Sequence, residues 1–143
     1  MNIKSVVQGE YAVSRDEDGR LTTILGSCIA ACIYDVDARV GGMNHFLLPE
    51  GQEGVAGNVK YGAYLMELLV NDLLKSGAQK SQMQASLYGG SKMNPALGDV
   101  GDRNIMFARD YLKNEGIAIA DEDVGGALAR RITMHPTNGK VDV

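Results

Sequence analysis

The stretch C-I-A-A-C-I-Y-D at Cys28 to Asp35, the turn-prone V-D-A-R after it, and V-G-G-M-N-H-F-L-L at Val40 to Leu48 decide the fold of this chain. Two apolar runs of strand length separated by a short polar segment read as a β-hairpin. Side chains alternate faces with a period of two, so loop length fixes which residues share a face. With a loop of two or four residues the cross-strand partner of His45 is Cys28 or Ala30, and in both registers Cys28 and His45 project from the same face. A three-residue loop sends them to opposite faces.

A thiol beside an imidazole is a candidate nucleophile and base, which an isolated cysteine is only to a small extent. The competing reading is core packing, since cysteine in an apolar strand behaves as a small hydrophobe and His45 sits beside Phe46, Leu47 and Leu48. Glycines in G-S-C at Gly26 to Cys28 and in G-G-M-N-H at Gly41 to His45 point to close backbone approach and weigh toward a site. A hydroxyl that orients the imidazole would complete the set. Thr22 and Thr23 both precede the bend that Gly26 permits, and the residues alone leave open which of them points inward.

Cys32 lies four residues beyond Cys28 on the same strand face, roughly 13 Å away in extended chain, too far for a disulfide or a shared tetrahedral zinc. It is expected to be buried and inert. His135 lies in a remote segment before Pro136 and reads as a hairpin residue rather than a ligand. No metal site is expected.

Outside the hairpin, Tyr61 to Ser76 carries Leu65, Leu69 and Leu73 at helical spacing, with Gly77 as a stop. Asp102 is placed to cap a second helix over Arg103 to Glu115, whose Ile105, Ala108 and Leu112 share a face. Ala85 to Tyr88, Ile117 to Ala120, Leu128 to Met134 and Lys140 to Val143 read as strands, the last two joined through P-T-N-G. Strands at both ends with helices in the middle predict an α+β chain with mixed sheets and helices against one side. Gly89-Gly90 and Gly125-Gly126 are expected in tight turns, and Arg130-Arg131 on a solvated strand face.

The 143 residues are enough to bury a core and carry no linker that would divide them, so one domain, 1–143, is expected. A net charge of −4 and a pI near 5.1, with scattered basic residues, argue against a nucleic-acid groove. Neither a P-loop nor a dinucleotide fingerprint occurs. The N-terminus lacks a signal-peptide pattern and no stretch approaches ~20 apolar residues, so a cytoplasmic location without membrane insertion is expected.

Several stretches together resemble the CheD family of chemoreceptor glutamine deamidases in bacterial chemotaxis. They are G-E-Y-A-V at Gly9 to Val13, L-G-S-C at Leu25 to Cys28, G-G-M-N-H-F-L-L-P at Gly41 to Pro49 and K-Y-G from Lys60. Y-G-G at Tyr88 to Gly90, D-R-N at Asp102 to Asn104, and V-G-G with A-R-R near Gly125 to Arg131 extend the likeness over nearly the whole chain.

The resemblance implies a three-layer α/β/β fold and a cysteine, histidine and threonine triad, mapping onto Cys28, His45 and Thr22. It implies hydrolysis of glutamine side-chain amides on methyl-accepting chemoreceptor cytoplasmic domains through a thioester, with ammonia released and no cofactor. The same chemistry would also serve a glutamate methyl ester. A non-catalytic module that binds a CheC-type phosphatase or the receptors is the alternative that the resemblance also implies.

Overall fold

A computed structural model describes residues 1–48, 54–93 and 99–143, the side chains of 54–60 excepted. Pro49 and the Lys60 side chain, both within the resembling motifs, lie outside the described residues. The elements are β1 (Asn2–Ser5), β2 (Tyr11–Ser14), β3 (Gly19–Leu25), β4 (Ile29–Asp35), β5 (Val40–Phe46), α1 (Gly54–Lys75), β6 (Gln84–Gly89), α2 (Val100–Asn114), β7 (Ala118–Val124), β8 (Arg130–Met134) and β9 (Val141–Asp142).

The hairpin forms as its sequence requires. β4 and β5 pair antiparallel across the four-residue loop 36–39, with Ala30 opposite His45 and Asp35 opposite Val40. Both strands are buried along their whole length, so neither shows apolar-polar alternation. Ile29, Ala31, Ile33, Val40 and Phe46 join one apolar cluster with the helices. Ala30, Cys32, Tyr34 and Met43 join another with Leu21, Leu25, Ile132 and Met134 of the opposing sheet, and Cys28 packs against it.

Three layers result: two helices, a five-stranded mixed sheet in the order β2-β5-β4-β6-β7, and a four-stranded mixed sheet in the order β1-β3-β8-β9. The expected α+β class and α/β/β layering are the observed ones. Both helices end in the same way. Gly77 (φ +107°) follows α1, with Ala78 N–H donating to Leu73 O at 3.0 Å. Gly116 (φ +71°) follows α2, with Ile117 N–H donating to Leu112 O at 2.9 Å. Left-handed glycine here satisfies the last carbonyls of each helix.

Element bounds differ from the sequence reading in two instructive places. α2 begins at Val100, so Asp102 lies within the first turn instead of capping it. β7 runs on to Val124 through the acidic D-E-D of Asp121 to Asp123, because parallel pairing with β6 continues to Gly89↔Val124. Cations cover two of those carboxylates: Arg109 on Glu122 (2.6 Å) and Arg130 on Asp123 (3.1 Å).

Candidate active site

β5 places His45 on the face of the five-stranded sheet that packs against the four-stranded sheet, 5% exposed. Ala30 is its direct cross-strand partner, and Cys28, two residues earlier in the chain, falls on the same face beyond it. Cys28 packs against the cluster between the sheets, so the thiol and the imidazole lie on one side of the hairpin, while the thiol's own hydrogen bond goes to Gln8.

The hydroxyl on the imidazole comes from across the interface between the sheets. Thr23 Oγ1 lies 2.8 Å from His45 Nδ1 and donates to Val6 O at 2.6 Å, while Val6 O is also 3.1 Å from Nδ1. Thr22, the residue that the resemblance implies, turns the other way: its hydroxyl donates to Ile132 O at 2.8 Å and meets Thr133 Oγ1 at 3.5 Å. The cause is the alternation of β3, which sends Leu21, Thr23 and Leu25 inward and Thr22 and Ile24 outward. Contact with the imidazole is thus made by Thr23 and not by Thr22.

These contacts assign the imidazole protons. Val6 O only accepts, and Thr23 has one proton to give. All three contacts are satisfied together when Thr23 donates to Val6 O and Nδ1–H donates to the Thr23 oxygen and Val6 O. The neutral ring then keeps its lone pair on Nε2, which is buried and has no hydrogen-bond partner among the described residues.

Burial depresses the pKa of His45 below its ordinary value, against a smaller opposing effect of the bond to Val6. Burial likewise raises that of Cys28, with its own backbone N–H pulling the other way. Both shifts favour an uncharged thiol and an uncharged imidazole at rest, in place of the preformed thiolate that a closely paired thiol and imidazole would hold. Cys32 is fully buried and its thiol is pushed far up by desolvation, which fits the inert role expected of it.

The turn carrying the nucleophile candidate is pinned at three successive carbonyls. Gly26 O accepts from Ser91 N–H (2.9 Å), Ser27 O from Asn104 Nδ2 (2.8 Å) and Cys28 O from Gly90 N–H (2.8 Å). Gly89 is therefore more than a turn residue. Its φ is +106°, and a Cβ there would collide with the Cys28 carbonyl oxygen.

Arg130, expected on a solvated face, is instead a half-buried fork. It donates to Gly89 O (3.2 Å), Ser91 Oγ (2.7 Å) and Gly125 O (2.6 Å), tying both glycine pairs together. Asn104 and Arg130 were not among the expected site residues. A signal for Asn104 was present, because it continues the apolar stripe of Ala108 and Leu112 four residues earlier and is wholly buried.

A cleft of about 240 Å³ opens beside the imidazole; Val6, Gln8, Thr23, His45 and Arg131 are among its lining residues, and so is Thr22, although its hydroxyl bonds elsewhere. Gln8 lines it, and the Cys28 thiol donates to the Gln8 carboxamide oxygen at 3.5 Å. A primary amide from the chain itself thus rests on the sulfur.

The family model for "CheD chemotactic sensory transduction" matches residues 47–143. A protein of Caulobacter vibrioides named probable chemoreceptor glutamine deamidase CheD is 49% identical over 138 residues, covering 95% of this chain and 74% of that one. A protein of Zymomonas mobilis with the same name is 47% identical over 137 residues, covering 94% and 75%. Among solved structures, the hypothetical protein YfiH of Bacillus licheniformis superposes with a TM-score of 0.55 at 10% identity over 88% of this chain and 59% of its own, a likeness of fold. With its matched length and its identity to named relatives, the chain belongs to the CheD family of chemotactic sensory transduction.

Proposed function

We propose that the protein hydrolyses glutamine side-chain amides on chemoreceptors, with Cys28 as nucleophile and His45 as general base. The observation that carries this reading is the buried Nε2, without a hydrogen-bond partner among the described residues, of an imidazole whose Nδ1 is held by Thr23 and Val6, on the side of the hairpin where Cys28 also packs. A carboxamide oxygen already seated on the thiol supports an amide as the group recognised.

Nε2 takes the thiol proton as sulfur attacks the glutamine δ-carbon, so the thiolate forms during attack rather than before it. The imidazolium then gives that proton to the departing nitrogen, and ammonia leaves a thioester. Water, deprotonated by the same Nε2, attacks the thioester and releases glutamate and the free thiol. The Cys28 backbone N–H and neighbouring donors are the candidates to stabilise the oxyanion. Thr23, by its contact, is the hydroxyl supported for orienting the ring, with Thr22 the alternative drawn from resemblance. A glutamate methyl ester would pass through the same thioester and release methanol.

Incubation with a receptor cytoplasmic fragment, followed by peptide mass analysis, tests the reading: each deamidated glutamine gains about one dalton. Wild-type protein is expected to produce the gain and Cys28→Ala to abolish it. A Cys28→Ala protein that still produces it overturns the nucleophile. No gain from wild type, together with tight binding to a CheC-type phosphatase, replaces the enzyme with a binding module.

A further inference from the structure

Asn104 stands on α2 yet touches both segments that make up the site. Its Oδ1 accepts from Leu48 N–H at 2.9 Å, two residues past the end of the strand bearing His45. Its Nδ2 donates to Ser27 O at 2.8 Å, the carbonyl before the nucleophile candidate. The amide has only one workable orientation, because Leu48 N–H can only donate and Ser27 O can only accept. Asn104 is completely buried, so both arms exchange with no water.

A trans peptide is planar, with its C=O and N–H pointing opposite ways. Ser27 O and Cys28 N–H belong to one such plane. Drawing the carbonyl toward α2 turns the Cys28 N–H away from α2. On either side, Gly26 O and Cys28 O are held by Ser91 and Gly90, so the plane between them has no freedom to flip. We infer that Asn104 is a positioning residue: its carboxamide locks the Ser27–Cys28 peptide so that the Cys28 N–H faces the reacting sulfur and the oxyanion that forms beside it. Agreement comes from the thiol itself, since that same N–H already favours the thiolate form of Cys28. Through Leu48 the same side chain also fixes the distance between the histidine strand and the nucleophile turn.

This rests on Cys28 being the nucleophile, and the test separates the two. Asn104→Asp keeps an acceptor for Leu48 N–H and removes the donor to Ser27 O. Expected for the variant are a cooperative melt, a raised midpoint in the pH profile of Cys28 alkylation by iodoacetamide, and an alkylation rate at pH 7.5 lowered about tenfold, the equivalent of one pKa unit. Receptor-fragment turnover should fall in kcat with KM changed by less than about twofold. A folded variant with unchanged profile and kcat overturns the role.

A second measurement needs no change at Asn104. In protein labelled with 15N-cysteine, the Cys28 amide signal, assigned by comparison with Cys32→Ala, should titrate at the midpoint found by alkylation. A flat response overturns the lock even if Asn104→Asp fails to fold. Should Cys28→Ala retain deamidation, the nucleophile reading falls while the alkylation and amide measurements still judge the peptide geometry.

Discussion

Replacing Thr23 by valine removes a hydroxyl while keeping shape, and its consequence can be worked from three contacts. The Thr23 oxygen connects Val6 O at 2.6 Å with His45 Nδ1 at 2.8 Å in a buried setting. Leaving a buried polar group without its partner costs about 1–3 kcal/mol. Here Val6 O and Nδ1–H remain 3.1 Å apart and retain one another, which holds the loss of stability to about 1–1.5 kcal/mol. For a chain of 143 residues that lowers Tm by about 3–6 °C.

The loss in turnover is expected to be larger than the loss in stability. With a single remaining partner the ring can tilt about Nδ1, and Nε2 no longer has a fixed aim at the sulfur. A fall in kcat of about 10- to 100-fold corresponds to about 1.4–2.7 kcal/mol of lost transition-state stabilisation. Thr22→Val removes a half-exposed bond to Ile132 O on the other face of β3 and should change kcat less than about threefold. Both variants are assayed on the same receptor fragment by the rate of the one-dalton gain, with thermal melts in parallel. If Thr22→Val loses more turnover than Thr23→Val at equal folded fraction, the assignment of the orienting hydroxyl by contact is refuted.

Acidity provides a separate check. Because burial lowers the pKa of His45 and raises that of Cys28, kcat/KM should fall only below the ordinary imidazole midpoint of ~6.5 and stay level toward pH 9. The sign for stability is the same: between the lowered folded pKa and ~6.5 the unfolded chain binds the extra proton, so unfolding becomes easier as pH falls through that window. A bell centred near neutrality would contradict an uncharged resting pair. Iodoacetamide should modify Cys28 and spare Cys32 in the native protein, and His45→Ala should slow the reaction at Cys28 at neutral pH, with peptide mapping as the readout. Equal labelling of the two thiols would count against the assignment. Gly89→Ala drives a methyl group into the Cys28 carbonyl and adds strain at φ +106°, so we expect a loss of at least about 1–3 kcal/mol in denaturant melts; a neutral substitution would show that the turn is not held as described.

Much of the fold was legible because it rests on local pattern. The β4–β5 hairpin announced itself through two apolar runs and an intervening turn, and the loop-length argument found the shared face of Cys28 and His45. The choice between Thr22 and Thr23 was not legible, because it depends on the register of β3 against β8, where Thr22 stands opposite Thr133, a partner 111 residues away. Arg130 looked solvated because nothing local reveals that four acceptors converge on it from two strands and the loops that follow them. D-E-D at Asp121 to Asp123 concealed the second half of β7, since charges depress strand propensity and only parallel pairing with β6 restores it. Asn104 was visible as an odd polar residue on an apolar stripe, but its two targets belong to tertiary structure alone.

One consequence of the bond between Thr23 and His45 reaches beyond the chemistry. It joins groups on separate sheets, so the imidazole is aimed only while those sheets stay in register with each other. Slippage of a fraction of an ångström there would disarm the histidine long before any strand dissolved. Heat inactivation should accordingly begin several degrees ahead of the loss of circular dichroism, which makes turnover a gauge of how firmly the two layers grip.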